Sequence, residues 1–334
     1  MEERSKFIVL FKQNGTNMHT LHKSMCLQII FLLVLTAANA SIIPVSGPDS
    51  FSIEGRWDMT LSMDGKSFPS WLQVKHSGFH TLVGEWVGVS GSTRPISKVN
   101  YSGSKISFSL PPQWEQGTND LIFEGSLQGD SLTGTVIFPD GKNYNWTAVR
   151  APMLRRNKPP VWGTPVRLFN GTNLKGWHAL GDNQWKAEGG ILRSPKSGAN
   201  LVTDASFTDF KLHIEFRYPK GSNSGVYLRG RYEVQISDSK GLSASSHELG
   251  GVYGFLSPSE QVAKEAGQWQ TYDITLVGRM LTVVANGKTI ICNQEIPGIT
   301  GGALDSREGA PGPLQLQGDH GPIEFRNIIL TPAK

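Results

Sequence analysis

The sequence predicts an all-β chain of two domains, a small antiparallel β-barrel followed by a larger jelly-roll β-sandwich, and three observations carry that prediction. Its 334 residues exceed what one small core serves, so two domains of ordinary size are expected. Short runs that alternate apolar and polar residues recur along the chain, with no convincing helix among them. Gly is present in 38 copies while charged residues make up only 18%, a balance that suits many tight turns and few long charged helices.

The first element is a leader. The apolar stretch at residues 25–38 follows Lys23 and ends in Ala38-Asn39-Ala40, where small residues suit cleavage before Ser41. About 14 apolar residues fall short of the ~20 that span a bilayer, so no integral membrane anchor is expected. Residues 1–40 therefore read as an N-terminal extension and signal peptide, and the protein is expected to be exported to the periplasm or the exterior. Cys26 lies within the leader, which leaves Cys292 alone in the mature chain with no partner for an internal disulfide. Cys292 closes a β-like run and is expected to be a buried, inert thiol.

Half of the formal net charge of +4 sits in the same segment. Arg4, Lys6, Lys12 and Lys23 oppose only Glu2 and Glu3 there, leaving 28 basic against 26 acidic residues in the remainder. Such a near balance gives no basis for nucleic acid or an anionic membrane as a partner.

Residues 41–150 form the first domain. From Phe51 to Arg150 about eight short strands follow one another, punctuated at Asp64-Gly65, Gly78, Gly91, Gly103, Gly117, Gly129-Asp130 and Asp140-Gly141. A meander of that many strands removes its own edges by closing into a barrel. The opening Gly55-Arg56-Trp57 resembles the first strand of lipocalin-like barrels. Trp57, Trp71, Trp86, Trp114 and Trp146 fill and cap the barrel on one reading and line a sugar-binding mouth on the other; the first is the expectation.

Residues 151–165 contain Arg155-Arg156 and Pro159-Pro160, a polar, Pro-rich run that reads as a linker. Residues 166–334 alternate again. In Phe210-Lys211-Leu212-His213-Ile214-Glu215-Phe216-Arg217 the apolar residues hold every even position, as a strand with one face on a core requires. Asn286-Gly287 between two apolar runs is a strong hairpin signal. Ten or more strands in this length argue for two sheets packed face to face.

The most informative stretch lies at residues 221–238. Val226, Leu228, Tyr232, Val234 and Ile236 fall on one face, and Tyr227, Arg229, Arg231, Glu233, Gln235 and Ser237 on the other. Either Gly230 bends the run, so that two short strands place this polar set around one concavity, or the set is a solvated sheet face; the pattern alone suits both equally.

Here the chain resembles the 3-keto-disaccharide hydrolase family over essentially the whole second domain. The resemblance rests on Leu168-Phe169-Asn170-Gly171, Leu174-Lys175-Gly176-Trp177, Asn223-Ser224-Gly225-Val226-Tyr227-Leu228-Arg229 and Tyr232-Glu233-Val234-Gln235-Ile236 with Asp238. It continues through Gly251-Val252-Tyr253-Gly254, Gly267-Gln268-Trp269-Gln270, Gly312-Pro313-Leu314-Gln315-Leu316-Gln317, His320-Gly321 and Phe325-Arg326-Asn327-Ile328. It implies a concanavalin A-like sandwich and cleavage of glycosides whose C3 hydroxyl has become a ketone. The ketone acidifies the C2 hydrogen, a base removes it, the group at C1 is expelled, and water adds back.

Such a reaction needs a base, an acid for the leaving oxygen and a stabiliser of the enolate. Glu233 and His320 are the expected proton-transfer pair; the sequence leaves open which is base and which is acid. Tyr227, Arg229, Gln235, Asp238, Tyr253 and Gln317 are the expected substrate ligands, with Asp238 equally suited to bracing a turn. Glu233, Asp238 and His320 could also hold one divalent metal ion that steadies the enolate. His247-Glu248 lacks the second histidine of a zinc protease helix, and no Gly-x-Ser-x-Gly elbow occurs. A conventional glycosidase needs two carboxylates, yet Gln235 and Ser237 follow Glu233 on its face. The alternative to an enzyme is an exported, non-catalytic carbohydrate-binding or adhesion protein.

Overall fold

The computed structural model describes residues 52–334, so the expected leader at 1–40 lies outside the described residues. Eight antiparallel strands come first: β1 (Gly55–Met63), β2 (Lys66–Ser77), β3 (Thr81–Val87), β4 (Arg94–Ser102), β5 (Lys105–Leu110), β6 (Leu121–Gln128), β7 (Ser131–Ile137) and β8 (Asn143–Arg150). Each pairs with its neighbour and β1 pairs with β8, which closes the barrel and removes the free edges. The alternation read from the sequence decides which side chains point inward. Trp57, Met59 and Leu61 on β1 are fully buried together with Trp86, Phe123 and Trp146, and Phe108 stacks on Phe123 at 4.6 Å. Asp64 and Gly65, both at positive φ, make the turn between β1 and β2.

The remaining strands are β9 (Val166–Arg167), β10 (Trp177–Ala179), β11 (Lys186–Glu188), β12 (Ile191–Ser194), β13 (Leu201–Phe207), β14 (Phe210–Arg217), β15 (Asn223–Leu228) and β16 (Tyr232–Ser237). They continue with β17 (Gln270–Val277), β18 (Met280–Ala285), β19 (Lys288–Glu295), β20 (Gly312–Leu316) and β21 (Ile323–Pro332). A five-stranded sheet runs β10-β13-β20-β15-β16, and the second sheet runs β11-β12-β21-β14-β17-β18-β19 with β9 on β21. The even-numbered apolar residues of β14 face inward and meet Val226, Leu228, Val234 and Ile236 from the five-stranded sheet in one core. Among the described residues no helix occurs, and hence none long and apolar enough to cross a membrane.

Two barrel residues, Trp71 and Val87, belong to the sandwich core. Trp71 meets Phe255 edge-on at 5.5 Å, and a side chain on Gly298 would collide with its indole. A tryptophan so buried removes on the order of 200 Å² from water, roughly 5 kcal/mol as an upper estimate. A buried polar network ties the same junction. Glu308 pairs with Arg279, accepts from the Tyr232 hydroxyl at 2.9 Å, and donates its N–H to Asp58 Oδ2 at 3.3 Å. Burial, reinforced by the charge of Glu308, pushes the Asp58 carboxyl up to about 8. The Pro-rich segment is fastened down as well: Arg156 pairs with Asp209 at 2.6 Å, and Pro152 O accepts from Arg279 at 2.9 Å.

Cys292 departs from expectation, since it is exposed. The ladder between β18 and β19 slips between Leu281 and Val283, and Asn293 stands at positive φ. Ile290 and Ile291 are consequently both buried, and the next residue swings outward.

Candidate functional site

The outer face of β15 and β16 is the floor of a hollow of about 350 Å³. Tyr227 and Glu233 lie directly opposite in the ladder, as do Gly225 and Gln235, so three polar side chains of two strands share one face. On the other face Val226, Leu228, Tyr232, Val234 and Ile236 hold those strands to the core. β16 is the edge of its sheet, and the chain at 250–253 covers it: Gln235 N–H donates to Gly251 O at 2.9 Å and Tyr253 N–H to Glu233 O at 3.1 Å. That pairing sets Tyr253 on one wall. Past β20, Gln317 N–H donates to Gly225 O at 2.9 Å and begins the turn that carries Asp319 and His320 to another.

Glu233 is the centre of the hollow. It is 3% exposed, and its carboxyl Oε2 accepts from the Tyr227 hydroxyl at 2.9 Å. That hydroxyl also stands 3.0 Å from Gly301 O, so its one proton is shared between two acceptors. Neither Arg229 nor Arg231 pairs with Glu233. Burial without a paired cation pushes the carboxyl up to about 8, against the opposing pull of the Tyr227 hydrogen bond and the His320 charge. His320 is more than half exposed on the rim, and its Nδ1 lies 2.6 Å from Asp319 Oδ1. That hydrogen bond holds the imidazole above its ordinary value, favouring the cation. Gln317 is 6% exposed, and its Oε1 has no hydrogen-bond partner.

Of the residues named from the sequence, Glu233, His320, Tyr227, Gln235, Tyr253 and Gln317 line this one hollow. Two do not. Arg229 and Gly230 both take positive φ in the turn between β15 and β16, which reverses the side chain of Arg229 toward the core. There it is 1% exposed, lies over the Tyr232 ring at 5.0 Å, and donates to Gly278 O at 3.0 Å. Asp238 follows the end of β16 and accepts from Gly221 N–H at 2.9 Å, bracing a turn. With Asp238 elsewhere, the three ligands imagined for a divalent ion are not assembled. Among the described residues no group of three or more His, Cys, Asp or Glu side chains is gathered in a metal-holding arrangement.

The hollow also contains residues that sequence reasoning missed. Asn200 comes from the loop before β13 and Asn223 from the start of β15, and Asp319 supplies a second carboxylate that strand parity could not reveal. Ser90, Gly91 and Trp114 belong to barrel loops. Trp114 is 67% exposed, whereas Trp57, Trp71, Trp86 and Trp146 are core residues at 1% or less. The lining is thus rich in amides, hydroxyls and aromatic rings, the groups that recognise hydroxylated rings.

The family model described as a 3-keto-alpha-glucoside-1,2-lyase-like domain matches residues 164–331, half of the chain. The chain belongs to this family. Membership makes the 3-keto-alpha-glucoside-1,2-lyase-like chain a carbohydrate-active protein, and the matched residues contain every sandwich side chain of the hollow. Among solved structures, it is similar to a candidate glycosyl hydrolase from Parabacteroides distasonis at 26% identity, covering 53% of this chain and 93% of that one with a TM-score of 0.44. Another from the same organism is 25% identical, covering 50% and 98%, with a TM-score of 0.41. A carbohydrate-binding module from Bacillus subtilis is 13% identical, covering 47% and 95%, with a TM-score of 0.33. No curated protein matches the chain.

Proposed function

We propose that this protein is exported and cleaves 3-keto-glycosides by removing the C2 proton, eliminating the group at C1 and rehydrating the product. The observation that carries the reading is Glu233, a buried carboxyl without a paired cation that opens onto a polar hollow, with the imidazole of His320 hydrogen-bonded to Asp319 on the rim of the same hollow. A hydrogen next to a ketone demands a strong base at neutral pH, and a carboxylate whose proton affinity is raised to about 8 is far more basic than an exposed one. Glu233 is accordingly assigned as base and His320 as acid.

The electrons balance as follows. Glu233 takes the C2 proton, and the C–H pair forms an enolate across C2, C3 and the C3 oxygen. The enolate collapses to a C1–C2 double bond, restoring the ketone and breaking the bond from C1 to the leaving oxygen, which accepts a proton from His320. Water then adds at C1, giving one proton to the neutral His320, and Glu233 returns its proton to C2, which restores both groups to their starting states. The Tyr253 hydroxyl and the Gln235 amide are the nearby donors for the enolate oxygen, and unpartnered Gln317 Oε1 is an acceptor for a sugar hydroxyl.

Asp319 gives a conventional two-carboxylate hydrolysis one supporting observation, since it shares the hollow with Glu233. Reaction of a 3-keto-glucoside in D2O separates the readings. Proton abstraction puts deuterium at C2 of the released sugar faster than the free keto-sugar exchanges by itself, whereas direct hydrolysis leaves C2–H intact. Glu233→Gln should lower turnover by about 10³-fold and His320→Ala by about 10²-fold. Full turnover in both variants, or release of sugar without deuterium together with no kinetic isotope effect on a C2-deuterated substrate, overturns the assignment. Binding without turnover in the wild type would favour the non-catalytic alternative.

A further inference from the structure

The barrel contributes to the hollow, and it does so through a side chain that no core requires. Trp114 sits in the loop between β5 and β6, 67% exposed, on the same lining as Glu233 and His320. An indole two-thirds exposed and outside both apolar cores calls for another explanation, because a single tryptophan exposes a large flat apolar face.

The loop is held in place by a set of polar contacts. Glu115 receives two hydrogen bonds from Arg94, at 2.7 and 3.1 Å, and its carboxylate also accepts the backbone N–H groups of Gln113 and Trp114 at 2.9 and 3.2 Å. Arg94 is buried and lies over the Trp86 ring at 4.5 Å, so the ion pair is rooted in the barrel core. Gln113 exchanges hydrogen bonds with Ser92, through its Oε1 at 3.1 Å and its Nε2 at 2.8 Å.

Gly91 completes the mount. A methyl group there would stand 2.3 Å from Trp114 Nε1 and 2.2 Å from Gln113 Oε1, so the ring rests where only glycine leaves room. The β3–β4 loop, which carries Gly91, also reaches the site floor. Gly302 N–H donates to Val89 O at 2.9 Å, and the neighbouring Gly301 carbonyl is the one that faces the Tyr227 hydroxyl.

We propose that Trp114 is a stacking platform for the leaving group, making the barrel a specificity element of the sandwich site. Its ligand is a ring with a flat apolar face, either the C–H face of a second pyranose or an arene, attached at C1 of the oxidised sugar. The buried base holds the oxidised ring, and the rim carries His320, which protonates the leaving oxygen, together with Trp114. This assignment rests on the lyase reading for its chemistry but not for its geometry.

The test compares a 3-keto disaccharide, an aryl 3-keto-glucoside and methyl 3-keto-glucoside as substrates of the full chain and of Trp114→Ala and Trp114→Phe. The ratio of kcat/KM for either ring-bearing substrate over the methyl substrate should fall about tenfold in Trp114→Ala, about 1.4 kcal/mol, and recover in part in Trp114→Phe. A fall confined to the disaccharide identifies a sugar, and one confined to the aryl substrate an arene. Equal losses on all three substrates, or no change on any, overturn the platform. If the wild type turns over none of them, the lyase reading has failed. Titration of the corresponding unoxidised glycosides then decides the platform: Trp114→Ala must weaken the ring-bearing ligands relative to methyl glucoside, and equal affinities refute it.

Discussion

The carboxyl group of Glu233 lies across the face of Gly225, where a methyl group would stand 2.2 Å from Oε1 and 2.8 Å from Cγ. Gly225 belongs to β15 and is not in the left-handed region, so alanine can adopt its backbone without strain. The absence of a side chain there is what lets the base lie flat over the strand, hydrogen-bonded to Tyr227. Gly225→Ala is therefore expected to displace the carboxylate, lowering kcat on a 3-keto-glucoside at least tenfold. The cost in stability should be about 1–3 kcal/mol from overpacking, measured by denaturant unfolding.

Glu233 also leaves a signature in stability. Its carboxyl titrates near 8 in the folded chain against 4.5 ordinarily, so folding takes up a proton between those values. Its contribution is fully present below about pH 4.5 and is lost progressively as pH rises to about 8. Glu233→Gln abolishes the titration, and it should be more stable than the wild type by a few kcal/mol at pH 9 while differing little at pH 5. Denaturant midpoints across that range provide the check.

Asp58 obeys the same sign at the junction of barrel and sandwich. Raised from 3.8 to about 8, its carboxyl disfavours the folded state increasingly between those pH values. Asp58→Asn keeps an oxygen for the Glu308 N–H and removes the charge facing Glu308. It is expected to raise the melting temperature at pH 8 by several degrees and to have little effect at pH 4.

Asp319 governs the rim. Its hydrogen bond is the leading reason that the His320 imidazole is held above its usual value, and its charge also raises Glu233. In Asp319→Asn both groups should titrate lower. The descending limb of kcat/KM, which reports loss of the acid's proton, and the ascending limb, which reports ionisation of the base, both shift to lower pH. An NMR titration of the His320 ring reads the first shift directly.

Period-two alternation made much of this visible in the sequence, because burial of one strand face decides the position of every second side chain. Alternation puts Tyr227, Glu233 and Gln235 on one face, and they line one hollow. The same parity failed where the backbone left the strand. Arg229 stands at a positive φ in a turn, so its place in the count says nothing about its direction. Asp238, one residue past β16, serves a turn for the same reason. Asn200, Asp319 and Trp114 come from loops distant in sequence, where no periodicity exists to read. Cys292 is exposed against the expectation of a buried thiol because a ladder slip inverts the faces beyond it.

The region matched by the family begins at residue 164, yet Trp71 and Val87, far upstream of it, are part of the apolar interior it encloses. A fragment trimmed to the matched region would open a socket beside Phe255 and Gly298 and strand the Arg279–Glu308 pair without its cover. The boundary of common descent is then expected to differ from the boundary of cooperative melting. Calorimetry on residues 41–334 should record a single transition, and the trimmed fragment should aggregate unless the barrel is supplied to it in trans.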